Sequence, residues 1–165
     1  MKAPDPRRSA LLLFPLLLAT QSAWAATAAG PGALALASVV AAHSPLLTQQ
    51  EKRVMARLFN GHSNVGFPPG SKITVKADAI VCRASNVDIT SRSCKLTFGA
   101  TSVDLTGRRA HELYATIAEV GVPPDGAAGS TFESLSNLVC TIDPQAIAQK
   151  AGAGADCTFD PGASR

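Results

Sequence analysis

The sequence lacks most of what would name a function. Its apolar run Ala10–Ala19 is too short to cross a bilayer, which takes about 20 residues of helix. It has no Cys-x2–4-Cys knuckle, the usual framework of a structural zinc site. There is no Gly-x-Ser-x-Gly, so the nucleophile elbow of many serine hydrolases is missing. Gly126-Ala-Ala-Gly129 is not followed by Gly-Lys-Ser/Thr and is not a phosphate loop. His111-Glu112 begins like a zinc-protease helix, but Ala115 stands where the second histidine is required. No repeat at solenoid spacing is present. No cofactor and no metal are therefore expected.

What is present begins with an export signal. Lys2, Arg7 and Arg8 precede the apolar run. Thr20-Gln-Ser22 is polar, and Ala23-Trp24-Ala25 is a small-x-small cleavage box. Basic end, apolar run and cleavage box stand in the order that signal peptidase reads. No cysteine lies near the box, which leaves no site for a lipid anchor, and Ser9-Ala-Leu-Leu12 does not complete a twin-arginine pattern. Residues 1–25 are thus expected to be a signal peptide, leaving 140 of the 165 residues, enough for one domain with a core. The whole chain carries a formal charge of +3, but the part after residue 25 holds 12 Lys/Arg against 11 Asp/Glu. Near-neutrality removes the electrostatic footprint of a nucleic-acid binder.

All four cysteines, Cys82, Cys94, Cys140 and Cys157, lie beyond the cleavage box. An even count behind an export signal points to disulfides and to a periplasmic or secreted location. Four cysteines allow three pairings. Cys82–Cys94 with Cys140–Cys157 is preferred, because each pair closes a local loop flanked by strand-like residues.

Along the chain, residues 26–47 are rich in Ala, Gly and Ser, uncharged to His43 and without a stripe, and read as a flexible leader. Thr48-Gln-Gln-Glu51 is a capping box for a helix to about Phe59, stopped by Asn60-Gly61. On it Lys52, Arg53 and Arg57 form a solvated face. A Pro/Gly linker reaches residue 71. Residues 72–160 read as an α+β domain. Strands are expected at 72–83, 93–100, 102–105, 138–142 and 155–159, with a pattern slip at Ile80-Val81-Cys82 that marks a bulge or two-sided burial. Gly107–Val120 is the main amphipathic helix, with Ala110, Leu113, Ile117 and Val120 at helical spacing. Phe132, Leu135 and Leu138 are spaced for a helical turn, and Asp143-Pro144 opens a short helix. Residues 161–165 form a tail. The expected fold is a small, mostly antiparallel sheet with one main helix packed on it and two disulfides.

Chemistry is sparse. His43 and His62 fall in the leader and linker, and His111 on the main helix. No spacing forces together any two of Asp88, Glu112, Glu119 and Asp125. The tied loop 83–93 offers Arg83, Asn86, Asp88 and Arg92, and a rigid loop lowers the entropy cost of binding. Cys140-Thr-Ile-Asp-Pro144 resembles the stretch after the third cysteine of secreted subtilisin-inhibitor-like proteins, which combine two disulfides with a sheet and a helix. The resemblance covers about five residues, and both cysteine spacings are shorter than in that family. It implies an inhibitor of an extracellular or periplasmic hydrolase, with Ile142 on its reactive loop. The leading expectation is a non-catalytic domain whose partner is another protein or an envelope component, with no membrane span after cleavage. A small hydrolase using His111 and Glu112 is the remaining alternative.

Overall fold

Alternation of apolar and polar side chains builds the sheet. A computed structural model describes residues 25–62, 66–84, 91–121, 132–149 and 154–162. Residues 1–24 of the expected signal peptide and Asn86, Asp88 and Asp125 lie outside the described residues.

Six strands pair antiparallel in the order β1-β6-β5-β2-β3-β4. They are β1 (Ala26–Ala29), β2 (Ile73–Ala84), β3 (Arg92–Phe98), β4 (Thr101–Thr106), β5 (Phe132–Ile142) and β6 (Ala155–Pro161). The helices are α1 (Gly30–His43), α2 (Gln49–Phe59), α3 (Gly107–Gly121) and α4 (Pro144–Ala148). Cys94, Leu96 and Phe98 of β3 and Ala155, Cys157 and Phe159 of β6 are buried, while Ser93, Lys95, Asp156 and Thr158 between them are exposed. One face of the sheet is therefore covered and the other is wet, as period-two alternation in antiparallel sheets permits.

The slip expected near Ile80 is present, and β5 mirrors it. Ala77 pairs with Leu138 and Ile80 with Leu135, and all four are buried. Each strand thus changes phase over the same three residues. On β5 the extra residue is absorbed as a bulge against β6 between Ser136 and Val139, with Asn137 at a φ of 52°, a conformation asparagine tolerates better than most residues. This corrects the helical turn expected for Phe132, Leu135 and Leu138. The two leucines are three apart on one face because a bulge lies between them.

Both cystines join directly paired residues. Cys82–Cys94 ties β2 to β3, and Cys140–Cys157 ties β5 to β6. This is the preferred pairing, and no cysteine is free.

The largest departure concerns residues 26–47. They are not a flexible leader: β1 extends the sheet beside β6, and α1 packs against β6, α2 and α3. Ala33, Leu36, Ala37, Val40 and Ala41 are fully buried. A helix that is apolar all round shows no stripe, because neighbours cover it on several sides. The small residues also matter. A Cβ added to Gly32 would lie 2.6 Å from Val120 Cγ1, so α1 and α3 approach closely there. The covered face of the sheet thus carries two long helices, not one.

Helix α2 follows its sequence signals. Thr48 Oγ1 accepts from Glu51 N at 3.2 Å, and Glu51 Oε2 accepts from Thr48 N at 2.7 Å. At the other end, Gly61 N donates to Leu58 O and His62 N to Arg57 O, the double bond of a Schellman stop with glycine at positive φ. Asp143 caps α4, its Oδ1 accepting from Gln145 N and Ala146 N. Lys72 Nζ lies 2.5 Å from Asp143 Oδ2, joining the start of β2 to the same cap. Among the described residues no helix is long and apolar enough to cross a membrane.

Candidate functional site

The residues expected on binding loops separate in space. Arg83 is exposed beside Ser93 and Lys95 on the uncovered sheet face, where they line a shallow hollow with Val81 and Asp104. Arg92 starts β3 on the opposite, helix-covered face and is half-buried. Its Nη1 lies 2.7 Å from His111 Nδ1, and its guanidinium stacks over the Tyr114 ring at 4.5 Å. Guanidinium can only donate, so His111 accepts at Nδ1 and carries its proton at Nε2. Burial pushes the Tyr114 hydroxyl up, with the nearby Glu133 carboxylate adding to the effect and Arg92 opposing it. Burial also raises the Glu133 carboxyl.

His111 and Glu112 make separate contacts. Consecutive helical residues point about 100° apart. His111 turns to Arg92, whereas Glu112 Oε1 accepts from Arg108 Nε at 2.7 Å, one helical turn earlier. Ile142 is not on a loop. It ends β5 between Ile73 and Ala155 and is 0 % exposed. A side chain in that position cannot enter a protease cleft, so the reactive-loop expectation is corrected. Among the described residues no group of His, Cys, Asp or Glu is placed to hold a metal ion.

The helix layer contains a feature that lies outside all these loops. Between α1 and the segment from Leu105 to Thr116 lies a groove of about 470 Å³. Its apolar surface comes from Ala35, Val39 and Ala42 on α1 and from Leu105 and Leu113 on the α3 side. Its polar groups are Ser38, His43, Arg109, Glu112 and Thr116. Glu112 is held by Arg108, and Thr116 Oγ1 donates to Glu112 O at 2.9 Å. Arg109 and Lys52 form no ion pair among the described residues. Lys52 lines an adjoining hollow that shares Ser38 and Ala42 with the groove. Burial holds the His43 imidazole below its usual range, and the positive charges of Arg109 and Lys52 lower it further. His43 thus feels the positive charges of Arg109, in the groove, and of Lys52, in the adjoining hollow.

A second cavity of about 510 Å³ lies between α2, Phe67 and Ile73. The charged residue in its lining, Glu51, is committed to the cap of α2, and its carboxyl is lowered by the Thr48 hydroxyl and amide. It offers no uncommitted charge to orient a ligand.

Sequence reasoning missed the groove because half of it is α1. The available signal was His43, a lone titratable residue closing an uncharged run. No family model, no curated protein and no solved structure matches this chain.

Proposed function

We propose that this chain is a non-catalytic binding domain of the periplasm or extracellular medium, and that it binds in the groove between α1 and α3. One observation carries this reading. The groove sets five polar side chains, Ser38, His43, Arg109, Glu112 and Thr116, among five apolar ones, within the size range of small-molecule sites. Two supports stand beside it. The paired cystines suit an oxidising compartment, and His111 and Glu112 are each engaged by a different arginine rather than by one another.

The test is uptake of a small molecule by the oxidised protein under native mass spectrometry. The probes are amphiphiles with anionic, cationic, zwitterionic and neutral heads, each below its micelle concentration. One-to-one uptake of at least one head class is expected for the wild type, and its loss in Ala42→Trp, which fills the groove from an exposed position on α1. Uptake of none of them, or uptake unchanged in Ala42→Trp, would overturn the reading.

A further inference from the structure

We propose that the protein docks on an anionic phospholipid surface, with Leu46 entering the apolar layer and Arg53, Arg57 and Lys76 meeting the headgroups. This surface is separate from the groove between α1 and α3.

The apolar tip follows from the turn between α1 and α2. Among the described residues Leu46 is the one large apolar side chain left strongly exposed, at 80 %. The turn that presents it is fixed. Ser44 is buried; its hydroxyl accepts from Leu46 N at 3.2 Å, and its own amide donates to Val40 O. Thr48 closes the other end through the cap of α2. Leu46 cannot withdraw from solvent without giving up the bond to the buried serine. Leu47 beside it lines both neighbouring hollows, one with Leu46 and Lys76, the other with Val54, Phe67 and Ile73. Leu47, Val54, Phe67 and Ile73 are each half-buried, so the tip stands on a continuous, partly exposed apolar surface. Apolar patches with a polar rim mark contacts with proteins or membranes.

The occupant follows from charge. Residues 44–76 hold five of the 12 Lys/Arg beyond residue 25 and one of the 11 Asp/Glu. That acid, Glu51, is spent on the cap of α2, and Lys72 is spent on Asp143. Arg53 and Arg57 are exposed on α2 and share a face with Gln50 and Val54, at i, i+3, i+4 and i+7 spacing. Lys76 is exposed on β2. None of these three cations forms an ion pair among the described residues. The next acid along β2, Asp78, accepts from Gly99 N. A bilayer of anionic lipid offers both things that this surface lacks, a sheet of negative charge and an apolar layer beneath it. Nucleic acid would leave Leu46 in water. Apolar burial joined to attraction for anionic lipid is the basis of reversible binding at a membrane interface.

The experiment is co-sedimentation of the oxidised protein beginning at Ala26, which contains every element of the fold. The vesicles are phosphatidylglycerol mixed equally with phosphatidylethanolamine, and phosphatidylcholine alone for comparison. Binding is expected on the anionic vesicles, and high salt should release it, since screening shortens the reach of exposed charges. Arg53→Gln and Arg57→Gln should each weaken it about fivefold, the contribution of one cation at such a surface. Leu46→Ser should weaken it about tenfold or more, as removal of a buried leucine side chain from an apolar medium requires. Lys95→Gln removes an exposed cation on a different part of the sheet and should leave binding unchanged. Leu46→Trp should gain blue-shifted emission on anionic vesicles that the wild type lacks, and thermal melts should show all variants folded. Equal binding to both vesicle types would overturn the proposal, as would a loss in Lys95→Gln equal to that in Arg57→Gln. Binding without a blue shift in Leu46→Trp would overturn the inserted tip. Binding to no vesicle would overturn the whole proposal and leave the patch to a protein partner.

Discussion

Replacing Leu36 by alanine tests the position of α1 in the fold. Leu36 is fully buried, and Ala33 and Val40, one turn away on α1, and the adjacent Ala37 are buried as well. The substitution removes three carbons, worth about 2.4 kcal/mol at about 0.8 kcal/mol each. A residual cavity adds to this, and Leu→Ala in a packed core costs about 3–5 kcal/mol where the site cannot collapse. Alanines have no side-chain rotamers with which to fill the gap, so the upper half of that range is expected. Domain stabilities are about 5–15 kcal/mol, so the effect is large. The assay is urea unfolding of oxidised protein beginning at Ala26, followed by fluorescence and circular dichroism. The midpoint should fall with little change in slope, since a change in midpoint alone reports stability. Leu46→Ala, at an 80 % exposed position, is the control and should stay within about 0.5 kcal/mol. If Leu36→Ala costs no more than this control, α1 is not packed on the sheet and residues 26–47 return to a loose leader.

Other expectations follow from the same structure. Loop closure over separations of 12 and 17 residues implies about 3 kcal/mol of stability from each cystine, so Cys82→Ala/Cys94→Ala and Cys140→Ala/Cys157→Ala should be destabilised to similar extents. A loss under about 1 kcal/mol in either pair would show that its loop is already ordered in the unfolded chain. His43 has a depressed folded pKa, so the unfolded chain binds the proton first as pH falls below the usual imidazole range of about 6.5. Stability should therefore drop between that value and the folded one, and His43→Gln should lose less than the wild type between pH 7.5 and 5.5. A pH-independent difference in urea midpoint would refute this. The Asp143 carboxyl is lowered chiefly by its bond from Lys72, then by the α4 amides, so Lys72→Met should raise its titration midpoint in carboxyl NMR, whereas an unchanged midpoint would mean that the ion pair does not form in solution.

Local chemistry made much of the sheet and its bridges legible. Alternation in β3 and β6, the Thr48–Glu51 box, Gly61, Asp143-Pro144 and the cystine pairing each depend on neighbours in sequence or on short loops, and each is found in the fold. The rest required distant contacts. Helix α1 has no polar face because its surroundings come from β6, α2 and α3, so periodicity could not find it. Leu135 and Leu138 imitate helical spacing because the phase change in β5 is matched by one in β2. Ile142 looked available because Cys140–Pro144 resembles the reactive-loop stretch of subtilisin-inhibitor-like proteins, but Ile142 pairs with Ile73 on one side and Ala155 on the other. The groove combines both difficulties: one wall is α1, in the expected leader, and the other is Leu105 to Thr116, more than 60 positions further along the sequence.

The most direct test of the groove is a map of backbone amide shifts as an amphiphile taken up one to one is added to isotope-labelled, oxidised protein. Saturable shifts clustered at residues 35–43 of α1 and 105–116 of β4 and α3, with Lys52 at their edge, are predicted. Shifts centred instead on Phe67 and Val54, or on Arg83 and Lys95 of the open sheet face, would place binding elsewhere and contradict the account.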